Sequence, residues 1–286
     1  MAVLIVDAQV HIWTAGKASP HHSLGRPEPY TADALLAEMR EAGVDCALLA
    51  PPGWDPGGNK ASLEAAGTAP DRFAVTGDVN WMAAPDPERI RNWLTQPGMY
   101  GLRLNFNSAE KQAHLAGDGL DWIWREAAAA NIPVMLLLPG GVPLAERLAQ
   151  RFPGLNLCVD HLGIPRGAKN AAAFEHLPQV LRIARYPNVS VKAGGLPTYS
   201  TVDAFPHPSL HGYFRQVFEA FGPERIFWAS DITRMSCSYR DVVTFITEGI
   251  PWLTSADKRL IMGEAVCKWL NWSPQRAAQP RAAAQQ

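Results

Sequence analysis

Three polar side chains, Asp7, Gln9 and His11, stand at alternate positions just after the apolar run Val3-Leu-Ile-Val6. A carboxylate can take a proton, an imidazole can give one or bind a metal, and an amide can donate a hydrogen bond to an oxyanion. In a regular strand, residues i, i+2 and i+4 share a face. The spacing therefore predicts that all three point the same way, off the end of a buried strand. Zinc prefers imidazole, thiolate and carboxylate, and at the middle position Gln9 offers only a neutral amide.

Titratable groups close other apolar runs as well. Asp78 and Asn80 follow the third run. Arg103 and Asn105 lie in Gly101-Leu-Arg-Leu-Asn105. Asp160 and His161 lie in Val159-Asp-His-Leu-Gly163, with Arg166 just beyond. Lys192 lies in Val191-Lys-Ala-Gly-Gly195, and Ser230 and Asp231 close Phe227-Trp-Ala-Ser-Asp231, with Arg234 after them. The fifth run ends in Leu138-Pro-Gly-Gly and carries nothing titratable. Each residue also has a plain structural role open to it. Asp7 can cap a loop, Lys192 and Arg103 can be buried ion-pair partners, and Arg166 and Arg234 can be solvated. His21 and His22 sit in a Pro/Gly-rich loop and read as solvated.

The elements that must position these residues follow from the apolar runs. Strands are expected over Val3–Asp7, Val44–Ala50, Phe73–Val79, Gly101–Asn105, Val134–Leu138, Leu155–Asp160, Val189–Lys192 and Ile226–Ser230. Helical stretches alternate with them, among them Ala32–Ala42 closed by Gly43, Ala171–Arg185 and Ser255–Leu270. Eight such units predict an α/β fold, a single-domain (β/α)8 TIM barrel over residues 1–273, with a flexible tail over 274–286. In that fold the active site lies where the strands end. An open doubly wound sheet is the competitor, and no GxGxxG follows the first strand.

The 286 residues are 47% hydrophobic, with 26 basic and 27 acidic side chains and a formal net charge of −1. No basic surplus points to nucleic acid or to an anionic membrane. The four cysteines form no CxxC pair, the start lacks a basic leader, and no apolar run reaches membrane length. A cytoplasmic protein is expected; a homo-oligomer is left open.

Taken in order, Asp7-Ala-Gln-Val-His11-Ile-Trp13, Gly101-Leu-Arg103, Asp160-His161-Leu-Gly163-Ile-Pro165, Val191-Lys192-Ala-Gly194, Ala229-Ser230-Asp231 and Gly263-Glu264-Ala265 resemble the amidohydrolase-2 group of the amidohydrolase superfamily. Within it the chain is most similar to the lactonase branch, which includes 2-pyrone-4,6-dicarboxylate lactonase, fuconolactonase and sulfomuconolactonase. The resemblance implies that Asp231 activates water and that His11 and His161 are electrophilic partners, with Gln9 in the place of a histidine. It also implies that such chemistry can run without a metal. With Gln9 in that place and no histidine after the fifth strand, no tightly bound metal is expected; if one divalent metal such as Zn binds, His11, His161 and Asp231 are its ligands.

A lactone suits this apparatus, because its leaving group is an alkoxide or enolate. Arg103, Arg166, Lys192 and Arg234, with Asn105, would gather at one rim and take a carboxylate. The expected activity is hydrolysis of a small anionic lactone from aromatic or sugar catabolism. A metal-dependent decarboxylase and a non-catalytic small-acid-binding barrel are the alternatives.

Overall fold

Eight short parallel strands hydrogen-bond in chain order in the computed structural model, which describes residues 3–14, 22, 26–55 and 57–274. They are β1 (Val6–Val10), β2 (Cys46–Leu49), β3 (Phe73–Gly77), β4 (Met99–Asn105), β5 (Val134–Leu137), β6 (Leu157–Val159), β7 (Val189–Gly194) and β8 (Ile226–Ala229). With the helices between them they build the expected (β/α)8 barrel. His21 and all of the expected tail after Pro274 lie outside the described residues. Among the described residues no helix is long and apolar enough to cross a membrane.

Local signals fix the helices. Thr31 accepts the Ala34 N–H at the start of Ala32–Ala42, and Gly43, at φ 77°, ends it in the left-handed region. Leu35, Met39 and Ala42 form its buried stripe. Two expected helices are broken. Ala171–Arg185 becomes a 3-10 turn, Asn170–Phe174, and a helix, Leu177–Ile183, that starts afresh around Pro178. Ser255–Leu270 is interrupted by a π-turn over Leu260–Glu264, where Gly263 packs so closely that a Cβ would lie 2.7 Å from the Leu4 carbonyl oxygen. The helix Ala109–Ala116, capped by Ser108, was not anticipated.

The first strand departs most from expectation. It runs to Val10, so Asp7 and Gln9 lie within it. Asp7 pairs with Ala47 and Val10 with Leu49, so Ala8 and Gln9 together oppose the single residue between those partners. That is a β-bulge, which re-aims the side chains beyond it. Asp7, Gln9 and His11 therefore do not share a face. Gln9 and His11 reach the cavity at the strand ends, and Asp7 does not.

Asp7 instead closes the barrel between β8 and β1. Its Oδ1 accepts the N–H groups of Gln9 at 3.0 Å and Ser230 at 2.9 Å. Its Oδ2 accepts the Ser230 hydroxyl and the Tyr239 hydroxyl. Burial raises the Asp7 carboxyl, against the pull of these donors. Asp231 N–H to Gln9 O, 3.1 Å, completes the seam. Below it, Val6, Cys46, Leu48, Ala74, Met135 and Phe227 fill the barrel interior.

Removing the acceptor while its donors stay buried leaves each of them unsatisfied, at about 1–3 kcal/mol apiece. Asp7→Ala should thus lower the unfolding free energy by about 3–5 kcal/mol, and Tyr239→Phe, which removes a single bond, by about 1 kcal/mol. Urea titrations check this; equal losses for the two variants would show that Asp7 does not hold the seam.

Candidate active site

A cavity of about 660 Å³ opens at the C-terminal ends of the strands, and Gln9, His11, His161 and Asp231 all line it. Asp231 follows β8 in the left-handed region, at φ 48°, as His161 follows β6 at φ 52°. Such backbone costs on the order of 1–3 kcal/mol in residues other than glycine and gathers at functional sites.

Asp231 is buried, and its Oδ2 accepts from Arg234 Nη1 at 2.9 Å. Burial pushes the carboxyl up, but the Arg234 guanidinium and the His11 and His161 rings outweigh it and hold Asp231 well below the usual carboxylate range. It is ionised at any working pH. Its Oδ1 has no hydrogen-bond donor and lies 3.3 Å from His11 Nε2. His11 Nδ1 donates to the Ala50 carbonyl at 2.6 Å. That fixes the tautomer and turns the Nε2 lone pair towards the carboxylate. Two lone pairs face each other there unless a second proton or a cation lies between them.

His161 is held differently. Its Nδ1 donates to Gly194 O at 3.1 Å, across a residue where a Cβ would lie 2.6 Å from that nitrogen. Burial, together with the Arg234 charge, pushes the imidazole down to about 4 against the attraction of Asp231. The ring is neutral, and its Nε2 accepts from Gln9 Nε2 at 3.1 Å. Gln9 Oε1 in turn accepts from Lys192 Nζ at 3.0 Å. An ammonium only donates, so Lys192 decides which way the Gln9 amide faces.

Lys192 is fully buried, lies outside the cavity lining and gives its charge to Asp160 Oδ1 at 2.6 Å. Arg103 Nε donates to Asp160 Oδ2 at 2.8 Å. Burial pushes Asp160 up, but the two cations bring it down to about 2. Arg103, Asn105, Arg166 and Arg234 do line the cavity, and so do Asp78 and Lys111.

His22 is the residue that the sequence reading set aside as solvated and the structure brings in. It is half-buried, its Nδ1 lies 2.8 Å from Thr233 Oγ1, and its ring packs on His11 and Trp54 at 5.0 and 4.7 Å. Burial and the His11 ring push it down to about 3. No periodicity signals that the histidine at position 22 meets His11. Donor atoms of His11, His22 and Asp231 lie within 4.8 Å of one another. Two imidazoles and a carboxylate with an unsatisfied oxygen fit a divalent cation. The His161 lone pair is already taken by Gln9, so the grouping is His11, His22 and Asp231, where His11, His161 and Asp231 were expected.

A family model described as Amidohydrolase matches residues 6–283. An L-fucono-1,5-lactonase of Burkholderia ambifaria is 26% identical over 259 residues, 82% of this chain and 83% of that protein. An amidohydrolase from Burkholderia multivorans, solved with bound HEPES and again with bound zinc, superposes with TM-scores of 0.79 and 0.77 at 19% identity, over 94% of this chain and 100% of that one. A probable 2-pyrone-4,6-dicarboxylic acid hydrolase from Acinetobacter baumannii, with citric acid bound, gives 0.71 at 16% identity, over 94% of this chain and 99% of the other.

Because the folded Asp160 carboxyl is depressed, its contribution to stability is complete above the ordinary value of 3.8 and is lost as pH falls through about 2. Urea midpoints should drop across that window. Lys192→Met should flatten the drop and cost about 3–5 kcal/mol at pH 7, by leaving a buried carboxylate short of one cation. A midpoint at pH 7 equal to wild type would mean that the ammonium is not needed there.

Proposed function

The chain belongs to the amidohydrolase family, and from that premise we propose that it opens a small lactone by water attack on the ester carbonyl, with Asp231 taking the proton from water. The observation that carries this reading is the buried, ionised Asp231 with an unsatisfied oxygen in a cavity lined by His11 and Gln9. The fuconolactonase relative and the fold shared with the pyrone hydrolase support it.

Water hydrogen-bonded to Asp231 Oδ1 would fill the position that no protein donor occupies. As water attacks, its proton passes to that carboxylate and negative charge grows on the carbonyl oxygen. A doubly protonated His11 would donate from Nε2 to this oxygen. His161 has no proton free on Nε2; its role here is to hold Gln9 and shape the wall. A divalent cation held by His11, His22 and Asp231 would supply Lewis-acid polarisation and a more acidic water. Three ligands, with Gln9 turned away, favour weak retention.

An anionic substituent fits the rim. Arg103 and Arg234 are committed to Asp160 and Asp231. Lys111, Arg166 and Lys169 line the cavity and make no ion pair among the described residues; Lys169 Nζ donates to the Thr198 carbonyl, so Lys111 and Arg166 are the cations most open to a substrate carboxylate.

The direct experiment follows proton release over matched pairs of carboxylated and neutral lactones. Wild type should prefer the carboxylated member, and Asp231→Asn should lose about 10²–10⁴-fold in kcat, since an amide cannot take the proton. A variant within about threefold of wild type would end the assignment of Asp231 as base. A preference for the neutral lactone would point to a sugar lactone. For the metal, dialysed protein should carry well under one equivalent of zinc by elemental analysis. Excess zinc should raise the melting temperature of wild type more than that of His22→Ala. Stoichiometric zinc surviving dialysis, with activity lost on chelation, would favour the decarboxylase reading.

A further inference from the structure

Opening a lactone expels an oxygen that is a poor leaving group unless it is protonated as it departs, and no group assigned above supplies that proton. Asp231 is held as a carboxylate, His161 is a neutral ring with its proton on Gly194, and the second proton given to His11 above is directed at the carbonyl oxygen.

Asp78 meets the requirement. It follows β3 directly, three strands round the ring from β8, and lines the same cavity as Asp231. Its Oδ1 is buried without a hydrogen-bond partner, an arrangement that costs stability and calls for an explanation. The residue is also held in place at both ends of its peptide unit. Its N–H donates to Asn59 Oδ1 at 2.8 Å, and its carbonyl accepts from Asn59 Nδ2 at 2.7 Å. The neighbour Gly77 permits this approach, since a Cβ there would lie 3.0 Å from Asn59 Oδ1 and 2.6 Å from Met99 Cε. Fold stability alone does not require a polar oxygen, clamped at the mouth of a cavity and left unpaired.

The charges facing Asp78 are Arg103 from β4 and Lys111 from the helix after it, both of which favour ionisation. Arg103 is spent on Asp160. Burial prevails over both and lifts the Asp78 carboxyl to about 6. Of the carboxyl groups lining the cavity, Asp78 and Asp231 are thus pushed in opposite directions, the usual sign of an acid and a base in one site.

We propose that Asp78 is the general acid that protonates the departing ring oxygen of the lactone. The inference rests on the lactonase reading above. Water adds to the carbonyl carbon and its proton goes to Asp231. As the carbonyl re-forms, the bond from carbon to ring oxygen breaks, and the Asp78 proton moves to that oxygen to give a free hydroxyl. Asp78 is left as a carboxylate, the new acid ionises, and both aspartates return to their starting states by exchange with solvent. The sum is one water consumed and one hydroxy-carboxylate and one proton formed.

The test compares leaving groups. Wild type and Asp78→Asn are assayed on an aliphatic lactone that wild type turns over and on dihydrocoumarin, whose leaving oxygen is a phenol and needs little help. The variant should lose about 100-fold or more in kcat/KM on the aliphatic lactone and less than about fivefold on the aryl one. The wild-type kcat/KM on the aliphatic lactone should fall as pH rises through about 6, because the acid form is lost there, and the variant should lack that limb. Equal losses on both substrates, or an aliphatic rate unaffected by the substitution, would overturn the proposal. So would a wild-type profile with no limb near that pH, a readout that stands even if the variant misfolds. Wild type inert towards every lactone would instead remove the lactonase reading on which the inference depends.

Discussion

A carboxylate buried in a barrel must share its charge with cations or give it up, and Asp160 shares it with two. Separating such a group from water costs several kcal/mol, recovered only when geometry and remaining hydrogen bonds are good. Here Lys192 and Arg103 take one oxygen each. The consequences spread outward. Lys192, brought in to neutralise Asp160, has a donor left over for Gln9. That bond fixes the amide, the amide occupies the lone pair of His161, and His161 leans on the Gly194 carbonyl. One neutralised charge in the cavity floor thus orients a row of groups reaching to the reaction site, and leaves Arg103 and Lys192 committed.

Two carboxyl groups above that floor behave oppositely because their neighbours differ. Arg234 and two imidazoles surround Asp231, whereas Asp78 has burial and only distant or committed cations. Net charge at the site is then set by pairing as much as by composition. Lys111 and Arg166, which line the cavity without an ion-pair partner among the described residues, are open to an incoming anion.

Much of this is legible in the sequence, for identifiable reasons. Apolar runs with turn residues between them give the eight strands, and polar residues after several of the runs, among them His11, Asp78, Arg103, His161 and Asp231, line the cavity, because strand ends and active sites coincide in this fold. What escapes is whatever depends on a partner far along the chain. Nothing near Lys192 announces that it is consumed by Asp160. Nothing near His22 announces that its ring packs on His11. Asp7 reads as a site residue because alternation assumes a regular strand, and a bulge of one residue is invisible to it. Asp78 stands in the sequence as a strand-end acid, but the lack of a partner for its Oδ1 is a property of the folded surroundings.

The bulge in β1 works as a phase shift. A strand has only two faces, and regular alternation would commit Asp7, Gln9 and His11 to the same one. One extra residue between Asp7 and Val10 lets a single strand address two layers: a carboxylate turned to the seam and to Tyr239, and an amide and an imidazole turned to the cavity. Structural closure and reaction chemistry are thereby encoded within five consecutive residues yet kept out of each other's way. A regular strand through the same residues would turn all three to one face, and either the seam would lose its acid or the cavity its amide and imidazole.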